Sequence, residues 1–266
     1  MFYWIYDLSN WSLALLCTVV FVGFTWTGLL ATRSTVRKWM RPQPETNDLV
    51  SYFMSAYGVF YGLTLGLIAV GTYQNYTDVD STINKEAAAL GVLYRDVSFL
   101  PQGTREELQD ILRDYCRHVI DKSWPVQREG KLDPGEITWL NAFQKKLGDF
   151  EPKTRGQEAL LADTFRQFDD YDDIRQIRLS DVTTGLPAPL WWVVIVGALV
   201  NIVLTWLFSV DQLRVHLLLT GLLSLLVALL IFLIAAMDNP FRGQFSVSPD
   251  AFVIIRDTLM ILTTRS

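Results

Sequence analysis

Cysteine and histidine are scarce in this chain of 266 residues, which has two of each. Cys17 and Cys116 are far apart in sequence, and neither belongs to a Cys-x-x-Cys motif or a Cys/His cluster, so we expect no disulfide and no metal site. His118 and His216 also stand alone, and no P-loop, GxSxG or HExxH motif is present. We therefore expect neither enzymatic activity nor a cofactor.

Charged residues are missing from four long apolar segments, which cover residues 12–31, 49–72, 189–210 and 217–237. Each segment is long enough to cross a hydrocarbon core of roughly 30 Å as a helix. Backbone polar groups in lipid must be satisfied internally, which excludes open sheets. The sequence therefore predicts an all-α, multi-pass integral membrane protein with four transmembrane helices in contact with the lipid bilayer.

The charges are concentrated between the second and third segments. Residues 73–187 hold 36 of the 51 Lys, Arg, Asp and Glu residues, and acidic residues outnumber basic ones there, so nucleic acid is not an expected partner. We predict four regions. Residues 1–72 form an interfacial segment and the first two membrane helices, 73–187 an extramembrane helical domain, 188–237 the last two membrane helices, and 238–266 a C-terminal extramembrane segment.

Apolar periodicity predicts helices throughout the extramembrane domain. The second membrane helix is expected to continue as an amphipathic helix until Pro101. Thr104 and Glu107 have the spacing of a capping box for the next helix, and a long helix is predicted over residues 154–180. Asp169, Asp172 and Asp173 would share a face of that helix, either as a solvated surface or as ligands for a cation.

Glycine recurs every four residues in the second segment, at Gly58, Gly62 and Gly66. Such a smooth face allows a second backbone to approach closely. The face could pack against another helix of the same chain or around a symmetry axis formed by several copies. In the second case one flank would form a narrow, mostly apolar wall suited to gating by dewetting. The candidate pore-lining residues on that flank are Ser55, Ala56, Val59, Phe60 and Leu63.

Two polar features accompany the last two segments. Asn201 lies inside the third segment, where its amide could hydrogen-bond a neighbouring helix or line a polar pathway. Asp238, Asn239, Pro240 and Phe241 follow the fourth segment directly, and Pro240 is expected to stop that helix.

Membrane orientation follows from a basic cluster between the first two segments. Arg33, Arg37, Lys38 and Arg41 favour a cytoplasmic position for this loop, which would place residues 73–187 on the outer side.

Three stretches resemble the bestrophin-like family of bacterial membrane proteins, which is distantly similar to bestrophin ion channels. They are the second segment from Met54 to Tyr76, with its Phe60-Tyr61 pair; the acidic, alanine-rich run 86–95; and the turn Asp238-Asn239-Pro240-Phe241. The resemblance covers nearly the whole chain. The acidic Ca²⁺-binding run that follows the turn in animal bestrophins is absent here.

The resemblance implies a homo-oligomer in a bacterial inner membrane, with a central ion pathway bordered by the second helix. It also implies a cytosolic position for the large domain, opposite to the side that the basic cluster favours. The leading hypothesis is therefore an oligomeric ion channel. The alternative is a non-conducting membrane scaffold or sensor, in which the helical domain binds a partner or ligand.

Overall fold

A computed structural model describes residue 6 and residues 8–39 and 44–260. Within these residues every regular element is helical. The α-helices are α1 (Asn10–Trp39), α2 (Pro44–Asp96), α3 (Gln102–His118), α4 (Trp124–Arg128), α5 (Glu136–Gly148), α6 (Arg155–Asp181), α7 (Ala188–Trp206), α8 (Leu213–Met237) and α9 (Asp250–Ile255). A 3₁₀ turn follows α2 at Val97–Phe99, and π-helical turns occupy Val119–Ser123 and Arg256–Met260.

The chain divides into two compact units, which we call the membrane unit and the helical unit. The membrane unit comprises Met1–Gln74 and Gly185–Asp238, and the helical unit comprises Asn75–Thr184 and Asn239–Ser266. The four predicted regions have similar boundaries, except that residues 239–266 group with the helical unit. Whether the four predicted regions are independent domains stays a prediction.

Four helices, α1, α2, α7 and α8, are long and apolar enough to cross a membrane. They contain three of the four predicted segments in full, whereas α7 ends at Trp206, before the predicted end of the third segment at residue 210. The predicted all-α fold with four membrane helices is confirmed. Two indole groups connect α1 to its neighbours. Trp26 Nε1 of α1 donates to the Leu217 carbonyl of α8 at 3.0 Å. Trp206 Nε1 of α7 donates to the Thr25 carbonyl of α1, also at 3.0 Å. The Trp206 ring also lies against Gly28, where a Cβ atom would overlap it.

Aromatic residues fill much of the core of the helical unit. Tyr115 and Tyr171 pack edge to face with centroids 6.0 Å apart, and Phe143 and Phe168 stack at 5.4 Å. Leu108, Leu112 and Tyr115 of α3 are fully buried in this core, as is Val119 of the π-helical turn that follows.

Helix starts in this unit differ partly from the prediction. The capping box at Thr104 is wrong, because the Pro101 carbonyl already accepts the Arg105 N–H at 2.9 Å and α3 begins at Gln102, which leaves Thr104 inside the helix. The start of α6 agrees with the prediction: the Thr154 hydroxyl accepts the N–H of Gln157 at 3.2 Å and caps the helix.

Candidate functional site

The membrane part of α2 has one face packed on the rest of the membrane unit. The Tyr57 hydroxyl donates to the Gly197 carbonyl and the Tyr61 hydroxyl to the Val194 carbonyl, both at 2.7 Å. The two tyrosine rings stack with centroids 5.7 Å apart. The Tyr61 ring occupies the space that a side chain at Gly197 would fill. These contacts to α7 fix the rotation of α2 about its axis.

The opposite face of α2 is open in the single chain and carries all five candidate pore-lining residues. Val59, Phe60 and Leu63 are 61%, 73% and 62% exposed, and Ser55 and Ala56 are exposed as well. The Ser55 hydroxyl donates to the Ser51 carbonyl of its own helix at 2.8 Å, so its proton is not available to a ligand on this face. The structure therefore brings the five residues together on one open, largely apolar surface.

The glycine repeat lies beside this surface. A Cβ atom built at Gly58, Gly62 or Gly66 would meet no heavy atom of the described residues within 4 Å. Within the chain, α2 approaches α7 through tyrosine rings and not through these glycines. The role of the glycines in helix packing therefore stays a prediction. Packing against a second copy stays a prediction.

Asn201 lies on a buried side of α7, away from solvent. Thr205, one turn later, is also buried and donates to the Ile202 carbonyl at 2.6 Å. This burial is compatible with helix packing, and the role of Asn201 stays a prediction.

Asp238 caps the end of α8 and is a hydrogen-bond acceptor for distant parts of the membrane unit. Its carboxylate accepts the Tyr6 hydroxyl at 2.6 Å, the Trp191 indole N–H at 3.3 Å and the Leu186 backbone N–H. Only 4% of the residue is exposed. The sequence located the turn, but the pattern did not indicate that its aspartate joins three chain segments.

The rest of the predicted turn belongs to the helical unit. The Asn239 carbonyl accepts the Arg242 N–H at 2.9 Å, and the Pro240 carbonyl accepts the Val247 N–H at 2.8 Å. Phe241 is buried against Trp124, with ring centroids 5.7 Å apart. In this unit the segment acts as a packed turn.

A buried charge network in the helical unit was not predicted. Arg178 donates through Nε to Glu86 at 2.5 Å, through Nη1 to Gln127 at 2.7 Å and through Nη2 to Glu136 at 3.0 Å. Arg175 adds a second bond to Glu136 at 3.0 Å. Two arginines and two glutamates thus neutralise one another through direct contacts in a buried cluster.

This environment shifts the pKa values of the groups around it. Burial opposes the charge of Arg178, but Glu86 and Glu136 outweigh that effect and hold the pKa of its guanidinium well above the ordinary value. Burial raises the pKa of the Tyr171 hydroxyl, and Tyr115 and Glu86 raise it further. The Arg178 guanidinium consequently stays charged, and the Tyr115 and Tyr171 hydroxyls stay neutral, across the physiological pH range. Burial has the opposite effect on the carboxyl group of Glu86, whose pKa it raises.

The acidic residues of α6 are partly paired. Asp172 accepts hydrogen bonds from Arg175 at 3.2 Å and from Gln176 at 2.7 Å. Across residues 6, 8–39 and 44–260, no three His, Cys, Asp or Glu side chains are grouped so that they could hold a metal ion.

Comparison with known proteins agrees with the resemblance seen in the sequence. A family model, the Bestrophin-like domain, matches residues 19–252. A bacterial bestrophin homologue from Klebsiella pneumoniae, phased with zinc, has a similar structure, with a TM-score of 0.68, 13% sequence identity, and 94% of this chain and 98% of that chain covered. A single-substitution variant of that homologue gives a TM-score of 0.68 at 12% identity over the same shares of the two chains.

A further solved structure, described only as a membrane protein with one substitution, has a TM-score of 0.69 at 12% identity and covers 94% of this chain and 98% of its own. No curated protein matches the chain. Identities this low establish a shared fold, whereas the family match extends over most of the sequence. The chain belongs to the Bestrophin-like family.

Proposed function

We propose that this protein is an oligomeric ion channel of a bacterial inner membrane, in which several copies surround a pore lined by the open face of α2. The observation that supports it best is the exposure of Val59, Phe60 and Leu63 opposite the face that Tyr61 anchors. The partners are then lipid, further copies of the chain and permeating ions.

The composition of the open face favours contact with protein over contact with lipid alone. Small residues, Ala56 and the three glycines, allow helices to approach closely, and such residues are enriched where membrane helices associate. Val59, Phe60 and Leu63 are bulky and apolar. Copies of these side chains around an axis would form a hydrophobic constriction that opens and closes by wetting and dewetting.

Ion flux through reconstituted protein tests the proposal. Purified oligomer in liposomes should release a trapped ion, and Phe60→Ala or Val59→Ala should change the flux severalfold, since a barrier change of about 1.4 kcal/mol alters a rate tenfold. Val19→Ala in α1 is the matched control, because Val19 is also exposed, at 60%, but lies on another helix. Its flux should equal that of the wild type.

A folded oligomer that passes no ions would contradict the channel. The scaffold or sensor alternative would then be favoured if a specific partner bound the helical unit and binding were lost with that unit deleted. Equal effects of Val59→Ala and Val19→Ala would instead contradict the assignment of the pore to α2.

A further inference from the structure

A shallow, tightly packed depression lies in the membrane unit, between the end of α1 and the loop that joins α7 to α8. One part of its wall is apolar and the other is cationic. The apolar part includes Leu29, Val36, Trp206 and Phe208, and the polar part includes Arg33, Arg37 and His216.

The two arginines are one helical turn apart and follow the apolar stretch of α1 directly, which is the level of lipid headgroups. Arg33 Nη2 donates to the Asp211 carbonyl at 2.9 Å, and Arg37 Nη2 contacts the Asp211 carboxylate at 3.3 Å. Among the described residues, Nε and Nη1 of both side chains donate no hydrogen bond. A guanidinium has five N–H donors, so most of them are available to a ligand.

The Asp211 carboxylate, which contacts Arg37 of this pair, is a weak competitor. The side chain of Asp211 is 98% exposed, and exposed ion pairs contribute little. The depression is therefore cationic overall.

His216 supplies an independent sign of a ligand. The residue is only 3% exposed, and its Nε2 lies 3.1 Å from the Thr205 carbonyl. A carbonyl oxygen only accepts, so Nε2 carries the proton and Nδ1 of the neutral ring presents a lone pair. Nδ1 is buried and has no hydrogen-bond partner among the described residues. Such an orphaned acceptor is costly unless something donates to it.

We propose that this depression binds the headgroup of an acidic phospholipid that carries a hydroxyl, of the phosphatidylglycerol class. Arg33 and Arg37 hold the phosphodiester, a headgroup hydroxyl donates to His216 Nδ1, and the apolar wall takes the first part of an acyl chain. Nδ1 is buried, so the lining side chains move apart when the headgroup enters. An ethanolamine headgroup is disfavoured, because its ammonium would face two guanidinium groups.

Lipid retention, measured by native mass spectrometry of protein from mixed micelles, tests the phosphate contacts. Wild-type protein should retain phosphatidylglycerol in preference to phosphatidylethanolamine, and Arg33→Gln combined with Arg37→Gln should lower its occupancy about tenfold. Arg214→Gln is the matched control, since Arg214 is exposed near the start of α8 but does not line the depression. If Arg214→Gln lowered the occupancy of phosphatidylglycerol as much as the double variant does, the effect would be one of general surface charge, and the proposal would be overturned.

A second comparison isolates His216. Phosphatidylmethanol keeps the phosphodiester but lacks a headgroup hydroxyl, so the wild type should prefer phosphatidylglycerol, and His216→Phe should abolish that preference. A wild type that retains the two lipids equally would overturn the role of His216, whether or not the variant folds. Displacement of the lipid by soluble sn-glycerol 3-phosphate at similar concentration would show a site for free phosphate and would also overturn the lipid assignment.

Discussion

Arg178 and Glu86 form an ion pair in which neither side chain has any exposed surface, with Nε and Oε2 2.5 Å apart. The residues are 92 positions apart in the sequence and belong to α6 and to the extramembrane part of α2. Desolvation of both charges is offset only because Glu136, Gln127 and Tyr171 complete the hydrogen bonding. The pair therefore fixes how these helices meet.

Removal of one member of this network should be severe. Arg178→Met leaves the Glu86 carboxylate buried without its cation, and we expect a loss of about 3–5 kcal/mol in the free energy of unfolding. Thermal and chemical unfolding in detergent, followed by circular dichroism, measures the loss. Adding Glu86→Gln to Arg178→Met should restore part of the stability, because the uncompensated charge is removed.

The control for this prediction is an exposed pair of the same chemistry. Arg117 and Asp114 are 2.9 Å apart, with side chains 63% and 46% exposed. Arg117→Met should therefore cost less than about 1 kcal/mol. Similar losses in Arg117→Met and Arg178→Met would contradict the importance of burial.

Alkaline pH should destabilise the helical unit. Burial raises the pKa of the Cys116 thiol from its ordinary 9.0 to about 12, and burial likewise raises the pKa of the Tyr115 and Tyr171 hydroxyls. Above pH 9 the unfolded chain releases protons that the folded chain keeps, so stability is complete below pH 9 and declines from pH 9 towards 12. Each such group lowers it by up to about 1.4 kcal/mol per pH unit.

Variants separate these contributions in a titration of unfolding between pH 8 and 11. Cys116→Ala should flatten the decline in the free energy of unfolding that begins near pH 9. Tyr171→Phe should flatten the part of the decline that begins near pH 10. A wild-type stability that does not change over this interval would disprove the linkage.

Gly197 should tolerate no side chain. A Cβ atom there would overlap the Tyr61 ring, which its own hydrogen bond to Val194 holds in place. Gly197→Ala should destabilise the membrane unit by about 1–3 kcal/mol. Gly62→Ala is the matched control in α2, where a Cβ meets no described atom within 4 Å, and it should not lower the stability of the single chain in detergent.

A larger side chain at Gly62 tests whether the glycine face contacts a second copy. Gly62→Leu should weaken the oligomer while the single chain stays folded, because the added bulk separates backbones that pack closely. Size-exclusion chromatography with light scattering measures the assembly. An unchanged oligomer would show that this face meets lipid.

Asp238→Ala should remove the acceptor shared by Tyr6, Trp191 and Leu186. Three donors then lose this acceptor at a partly buried site, and we expect a loss of about 1–3 kcal/mol, detected as a lower unfolding temperature in detergent. The exposed Asp48 provides the control, and Asp48→Ala should change stability by less than about 0.5 kcal/mol.

The membrane helices were predictable because their signal is local. Twenty or so consecutive apolar residues specify a span whatever the rest of the chain does. The extent of the long helix predicted over residues 154–180 was equally local, and α6 covers Arg155–Asp181. The error at Thr104 arose because a Pro101 carbonyl can start a helix without any side-chain cap, and nothing in the four-residue motif reveals this.

The charge network could not be read from the sequence. Glu136 and Arg178 are 42 residues apart, and each stands in a polar stretch where charged residues normally face water. Only the tertiary fold decides which arginine of α6 points inward.

Dependence on the tertiary fold also explains why the sequence did not indicate which glycines pack closely. A regular repeat predicted close packing at Gly58, Gly62 and Gly66, whereas the glycines that meet another element tightly in the membrane unit are isolated ones, such as Gly28 and Gly197. Each accommodates an aromatic ring from a distant segment, and no spacing in the sequence indicates that partner.

The paired tyrosine bonds of α2 restrict how the proposed pore can move. If α2 turned about its long axis, the hydroxyls of Tyr57 and Tyr61 would leave the carbonyls of α7 in an environment with no water to replace them. Loss of two such bonds would cost several kcal/mol. A transition between shut and conducting states would thus proceed by reorientation of side chains such as Phe60, or by displacement of α2 and α7 as a single body.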